Sequence, residues 1–160
     1  MIRMATAADA AAIAAIYNHY IANTVITFEE TPLAPEEIAE RMRTVLAAYP
    51  WLVLEREGRV QGYAYAGRFH ARSAYRPTAE TAVYLADGAC GAGLGTALYA
   101  DLLERLRVQG LRSLIGIIAL PNEPSVGLHE KFGFAPVARL KEVGRKFDRY
   151  IDVGYWQLML

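Results

Sequence analysis

The chain has 160 residues and a mass of 17.7 kDa, one domain's worth of polypeptide and too little for two ordinary domains with a linker. With 54% hydrophobic and 21% charged residues it reads as globular, which excludes a disordered or fibrous chain. Lysine plus arginine number 17 and aspartate plus glutamate number 17, so no basic excess points to nucleic acid or to an anionic membrane surface.

After Met1 to Met4, a short first strand, Thr6-x-x-Asp9 forms a capping-box-like start. Ile13, Ile16, Tyr17, Tyr20 and Ile21 then recur at helical spacing and predict an amphipathic helix. Asp9 interrupts the alanine-rich start that would otherwise imitate an export signal, and the reading is cytoplasmic. Pro35 stands at the first position of a second helix that turns Ile38, Met42 and Val45 inward. Trp51 to Leu54, a turn at Glu57-Gly58, and Val60 to Ala66 read as an antiparallel hairpin. Gly67 to Pro77, which holds three arginines, is a loop, and Thr78 to Leu85 is the next strand. Gly88, Gly91, Gly93 and Gly95 follow at once, ahead of a third helix marked by Leu94, Ala97, Leu98, Leu102 and Leu106 and closed by Gly110. Ser113 to Ala119 is a short buried strand, and Asn122 caps a fourth helix that ends at Gly133. Phe134 to Leu140 and Lys146 to Leu160 read as terminal strands. The apolar stretches Ala10 to Tyr17 and Leu114 to Leu120 fall far below the roughly 18 residues that a spanning helix needs, so no membrane partner is expected. The single cysteine, Cys90, excludes an internal disulfide and a cysteine-rich zinc cage, and three scattered histidines make no metal site.

Glycines between a strand and a helix let the backbone turn tightly and turn several N–H groups toward a ligand, an arrangement suited to a pyrophosphate. Gly91-x-Gly93-x-Gly95 lacks the dinucleotide fingerprint spacing, and no Gly-Lys-Ser/Thr follows, so NAD and ATP are disfavoured. The order strand, glycine loop, helix, with Asn122-x-x-Ser125 and Lys131-Phe132-Gly133-Phe134 downstream, resembles the GNAT N-acetyltransferases over nearly the whole chain. More narrowly, Tyr17-Asn18-His19, Thr27-Phe28, Tyr75 to Glu80, Val83-Tyr84, Leu128 to Lys131 and Val143 to Phe147 resemble the phosphinothricin and methionine sulfoximine acetyltransferase branch. The resemblance implies one α/β domain spanning residues 1–160, with a mixed central sheet that splays at the coenzyme-binding strand and about four flanking helices. It also implies acetyl-CoA as co-substrate, no metal, a small amine as acceptor and a homodimer.

Carried over residue by residue, the resemblance places coenzyme contacts at Val83, Tyr84, Leu85, Cys90, Gly91, Ala92, Gly93, Leu94, Gly95, Thr96, Asn122, Ser125 and Lys131. Cys90 replaces the family's glutamine or arginine and Ala92 an often basic residue, so coenzyme binding is expected to be weaker than in relatives. Glu80, in the string where the branch carries its base, is the expected proton acceptor, and His129, where many relatives place a tyrosine, the expected acid. From the residues alone, Glu80 reads better as a surface carboxylate on a strand edge, and His129 reads equally as a satisfied helix-face histidine. Arg72, Tyr75 and Arg76 are expected to hold an oxyanion of the acceptor, because guanidinium groups grip carboxylates and phosphinates in bidentate fashion, and Phe28 to wall its side chain. The expected activity is acetyl transfer to the α-amine of a small amino acid or analogue within a ternary complex. A coenzyme-A-binding regulatory module without turnover, or transfer to a peptide N-terminus or polyamine, are the alternatives.

Overall fold

The computed structural model describes residues 1–160. Its elements are β1 (Ile2–Met4), α1 (Ala10–Asn23), α2 (Pro35–Leu46), β2 (Trp51–Arg56), β3 (Arg59–Arg68), β4 (Thr78–Leu85), α3 (Leu94–Val108), β5 (Ser113–Leu120), α4 (Glu123–Lys131), β6 (Ala135–Lys146) and β7 (Arg149–Met159). They form one seven-stranded sheet in the order β1-β2-β3-β4-β5-β7-β6. The strand alternation sorts the core into two layers. Leu52, Leu54, Ala64 and Ala66 face a cluster with Leu98, Leu102, Leu106 and Phe134 on the α3 side. Trp51, Val53 and Tyr63 face the other cluster, with Ile13, Ile16, Ile38 and Met42 of α1 and α2.

The entry to α1 bears out the expected capping box. The Asp9 carboxylate accepts from the Thr6 N–H at 2.8 Å and from both arms of Arg3 at 2.8 Å. Arg3 also reaches Glu55 of β2 at 2.9 Å, so one guanidinium ties the helix start to the sheet. The Arg3 hydrogen bonds hold the Asp9 carboxyl below the usual carboxylate range. A depressed folded pKa means stability that is present above the unfolded carboxylate pKa and is lost as pH falls through the folded one. Asp9→Ala is therefore expected to cost about 1–2 kcal/mol at neutral pH, with the deficit shrinking in acid. Chemical denaturation at the two pH values checks it, and a deficit equal at both would contradict the assignment.

β4 and β5 are the one parallel pair, and they stay paired only from Thr78↔Ser113 to Thr81↔Gly116. Beyond Thr81 the strands part, as the resemblance implies, and β5 continues against β7 from Ser113↔Met159 to Leu120↔Asp152. The Ala86 N–H donates to Gln61 of β3 at 2.8 Å, so by alternation the backbone groups of Val83 and Leu85 point into the opening.

The C-terminal strands differ from the expected ones. β6 runs on through Lys146, and the chain reverses at Phe147-Asp148, with φ of 51° and 57°, where the sequence reading had placed continuous strand. Lys146 pairs Arg149 across this two-residue turn. Positive φ at both central positions is what the twist of such a hairpin requires, and neither Phe147 nor Asp148 is the glycine that usually marks it.

Candidate active site

The opening between β4 and β5 divides two cavities that share Ile26, Val83, Asn122 and Ser125 in their walls. One, of about 280 Å³, contains Glu80 and is lined by Tyr17, Thr27, Phe28, Tyr65, Tyr84 and His129 among others. The second, of about 510 Å³, runs along the glycine loop past Leu85, Cys90, Gly91, Gly93, Leu94, Gly95 and Thr96. The two form a trench whose midpoint is the N-terminal turn of α4.

The glycine loop is shaped as its composition demands. Gly91 and Gly93 have φ of 87° and 73°, the left-handed region that a side chain would strain. Gly93 stands at the N-cap of α3, which leaves the first N–H groups of that helix without intrahelical partners. These N–H groups and the helix dipole suit a phosphate chain. Farther along the opening, the Tyr20 hydroxyl donates to the Leu85 carbonyl at 2.8 Å and accepts from the Leu85 N–H at 3.4 Å. Val83 is thus the β4 residue whose backbone pair remains free toward the opening, a rung available to an amide-bearing ligand.

Glu80 is half-buried on β4, and burial raises its pKa above the ordinary carboxylate value. No cation is paired with it to offset that cost. Around the same cavity the Tyr17 hydroxyl meets Thr27 Oγ1 at 2.8 Å and donates to Glu29. Glu29 is clamped by Arg41 at 2.6 and 2.9 Å, contacts that hold its carboxyl below the usual range. Burial pushes Tyr17 up to about 12, so it remains a neutral donor at physiological pH. The buried Lys146 donates to the Thr27 carbonyl at 2.8 Å, and Gly144 leaves room for the Phe28 ring. The β6–β7 hairpin therefore pins the Thr27-Phe28 wall from behind.

Of the expected coenzyme contacts, Val83, Leu85, Cys90, Gly91, Gly93, Leu94, Gly95, Thr96, Asn122 and Ser125 line the glycine-loop cavity. Tyr84 faces the Glu80 cavity instead. Ala92 and Lys131 line neither. Phe28 walls the Glu80 cavity as expected, and Glu80 and His129 share it. Arg72, Tyr75 and Arg76 do not reach it: they sit on an exposed turn where Arg76 bonds the Ser73 carbonyl at 3.2 Å and Tyr75 packs on His70 at 4.9 Å. Charge in a loop signals recognition without specifying where the loop travels. The sequence reading missed Tyr17, Tyr20, Tyr65 and Ile26, because aromatic and aliphatic residues at helix or strand period read as core before they read as walls.

The chain matches the acetyltransferase (GNAT) domain family over residues 2–154, and it belongs to that family. It is 44% identical, over 98% of its length and 85% of the relative's, to a phosphinothricin N-acetyltransferase of Streptomyces viridochromogenes. It is 38% identical, over 99% of its length and 94% of the relative's, to an L-methionine sulfoximine/L-methionine sulfone acetyltransferase of Pseudomonas paraeruginosa. Among solved structures, a GNAT superfamily phosphinothricin acetyltransferase from Sinorhizobium meliloti, in complex with acetyl-CoA, superposes with a TM-score of 0.97 at 38% identity, covering 100% of this chain and 88% of that one. The mixed α/β sheet and its flanking helices are the family's fold, and the chain is an acyltransferase of this class.

Proposed function

We propose that the protein transfers the acetyl group of acetyl-CoA to the α-amine of a small amino acid or amino-acid analogue of the phosphinothricin or methionine sulfoximine type. The observation that carries this reading is the meeting of the two cavities at the β4–β5 opening. A groove with unpaired N–H groups ends where a second cavity, holding an unpaired carboxylate, begins. The names of the relatives and the acetyl-CoA held by the Sinorhizobium structure support the choice of donor and acceptor.

The groove fits acetyl-CoA. Gly91 to Thr96 present N–H groups to the pyrophosphate, and the Val83 backbone pairs the pantetheine arm, which brings the thioester to Asn122 and Ser125. An ammonium has no lone pair, so the acceptor must lose a proton before it can attack. Glu80, whose pKa burial raises above the ordinary carboxylate value, takes that proton directly or through a water. The aromatic wall of Tyr17, Phe28, Tyr65 and Tyr84 limits the acceptor to a compact side chain. Attack is direct, and the exposed Cys90 sits in the phosphate groove away from Glu80, so it forms no acetyl-enzyme. Varying acetyl-CoA against methionine sulfoximine should give intersecting double-reciprocal lines and no acetylated protein by intact mass. Parallel lines with an acetylated Cys90 would contradict direct transfer.

Cys90 and Ala92 leave the phosphates without a side-chain cation. Cys90→Arg is therefore expected to tighten acetyl-CoA by up to about fivefold, since an exposed ion pair contributes roughly 1 kcal/mol at most. An unchanged dissociation constant by calorimetry would show that the backbone N–H groups already saturate the site.

Assembly as a cytoplasmic homodimer belongs to the same reading. It is supported by the exposed Val137, Leu140, Val143, Phe147 and Tyr150 along the β6–β7 hairpin, an apolar face of the kind that marks an interface. No helix is long and apolar enough to cross a membrane.

A further inference from the structure

Ser125 and His129 lie four residues apart on α4, and the bond between them decides where the imidazole carries its proton. His129 Nδ1 is 2.7 Å from the Ser125 carbonyl oxygen. A carbonyl oxygen can only accept, so the neutral ring is protonated on Nδ1, and Nε2 is a bare lone pair. That Nε2 is buried and has no partner. Its edge is pressed against Gly116 of β5, where a methyl group would come within 2.5 Å of both Nε2 and Cδ2. Tyr99 and Phe134 pack on the ring at centroid distances of 5.1 Å. Burial also opposes the second proton that would make it an imidazolium. A ring held this way has no proton at Nε2 to give to a departing thiolate, and the acid expected at His129 must be sought elsewhere.

Asn122 and Ser125 are the polar side chains common to both cavities. The Asn122 Oδ1 accepts from the Ser125 N–H at 3.2 Å. With its N–H and its carbonyl both engaged, Ser125 has its hydroxyl left for the junction, in the first turn of a helix whose N-terminal dipole favours an anion. We propose that Ser125 donates to the departing sulfur and relays its proton, and that His129 is a positioning residue that holds the Ser125 turn. This rests on the acetyl-transfer reading above.

The step balances. Glu80 removes one proton from the acceptor's ammonium, and the amine nitrogen bonds to the acetyl carbonyl carbon, giving an oxyanion and a protonated nitrogen. As the C=O bond re-forms, the C–S bond breaks with its electron pair on sulfur. The Ser125 hydroxyl passes its proton to sulfur while its oxygen takes the surplus proton from nitrogen. Serine is unchanged, the products are the amide and the free thiol, and Glu80 returns its proton to solvent.

The test compares Ser125→Ala, Ser125→Thr and His129→Asn with wild type, using an acceptor that wild type acetylates, after calorimetry has shown that each variant binds acetyl-CoA. Ser125→Ala should lose about 10²-fold in kcat with little change in KM for acetyl-CoA, and Ser125→Thr, which keeps the hydroxyl, should recover most of it. His129→Asn, which keeps a donor near the Nδ1 position, should lose far less than Ser125→Ala. Nitrogen NMR at neutral pH should show His129 protonated at Nδ1 and bare at Nε2. Wild-type kcat in Ser125→Ala, a deeper loss in His129→Asn than in Ser125→Ala, or a ring protonated at Nε2 would overturn the relay. Failure of wild type to acetylate any amine would overturn the acetyl-transfer reading, and the relay with it.

Discussion

Glu80→Gln is expected to lower kcat by on the order of 10²-fold, the usual scale for a positioned base, with the acetyl-CoA dissociation constant unchanged. The amide has the same shape but cannot take the acceptor's proton, and Glu80 lies in the acceptor cavity, outside the glycine-loop groove. The pH profile carries a second signature. Burial raises the Glu80 pKa, so the acid limb of kcat/KM should fall above the ordinary carboxylate range, with the rate rising as pH climbs through it. That limb should vanish in the glutamine variant. Stability should move in the opposite sense. A folded pKa raised by burial favours the protonated form, so the stability associated with this group is present below the unfolded pKa and lost as pH rises through the folded one. At neutral pH the glutamine variant should therefore melt no lower than wild type, which separates a catalytic loss from a folding defect. A fully active Glu80→Gln, or one that loses activity only because it melts, would remove Glu80 from the mechanism.

Gly116→Ala is expected to cost about 1–3 kcal/mol of stability by overpacking, or roughly 2–4 °C in Tm for each kcal/mol at this chain length. The added methyl would meet the His129 ring at 2.5 Å, and that ring is 4% exposed and packed against Tyr99 and Phe134, so it can give way only by moving into the Glu80 cavity that it lines. Gly116 also forms the last parallel rung, opposite Thr81, just before the strands part. Displacing His129 here moves the Ser125 turn to which it is bonded, so kcat should fall along with Tm. A thermal melt and a steady-state assay on the same preparation check both. An unchanged Tm would mean that the ring does not rest on Gly116.

Much of the frame around these residues was legible in the sequence, for identifiable reasons. Thr78 to Leu85, the glycines and the helix behind them follow directly from changes of period and from residues that tolerate left-handed backbone. Asn122 was legible as a cap because its side-chain oxygen satisfies an N–H that the helix leaves free. The turn at Phe147-Asp148 was not legible, because phenylalanine rarely holds positive φ and no glycine follows to mark a two-residue turn, whereas here both positions are left-handed between the paired Lys146 and Arg149. Tyr17 and Tyr20 announced a helix face. Their hydroxyls turned out to bond Thr27, Glu29 and Leu85, contacts made across 10 to 65 residues of chain that no local pattern encodes. The tautomer of His129 was likewise hidden: a histidine four residues after a serine is common, and its meaning here depends on the Ser125 carbonyl and on Gly116 of another strand.

The central claim is that the carboxylate cavity accepts the α-amine of a small amino acid. The most direct measurement is acceptor-dependent release of CoA thiol from acetyl-CoA, corrected for the reaction of Cys90 itself. The panel is methionine sulfoximine, methionine sulfone, phosphinothricin, free amino acids, spermidine and a short peptide, with the product identified by mass spectrometry. Turnover with the sulfoximine or phosphinothricin, and a product acetylated on its α-nitrogen, is the predicted result. Turnover confined to the peptide or to spermidine, or acetyl-CoA binding with no thiol release from any acceptor, would contradict it.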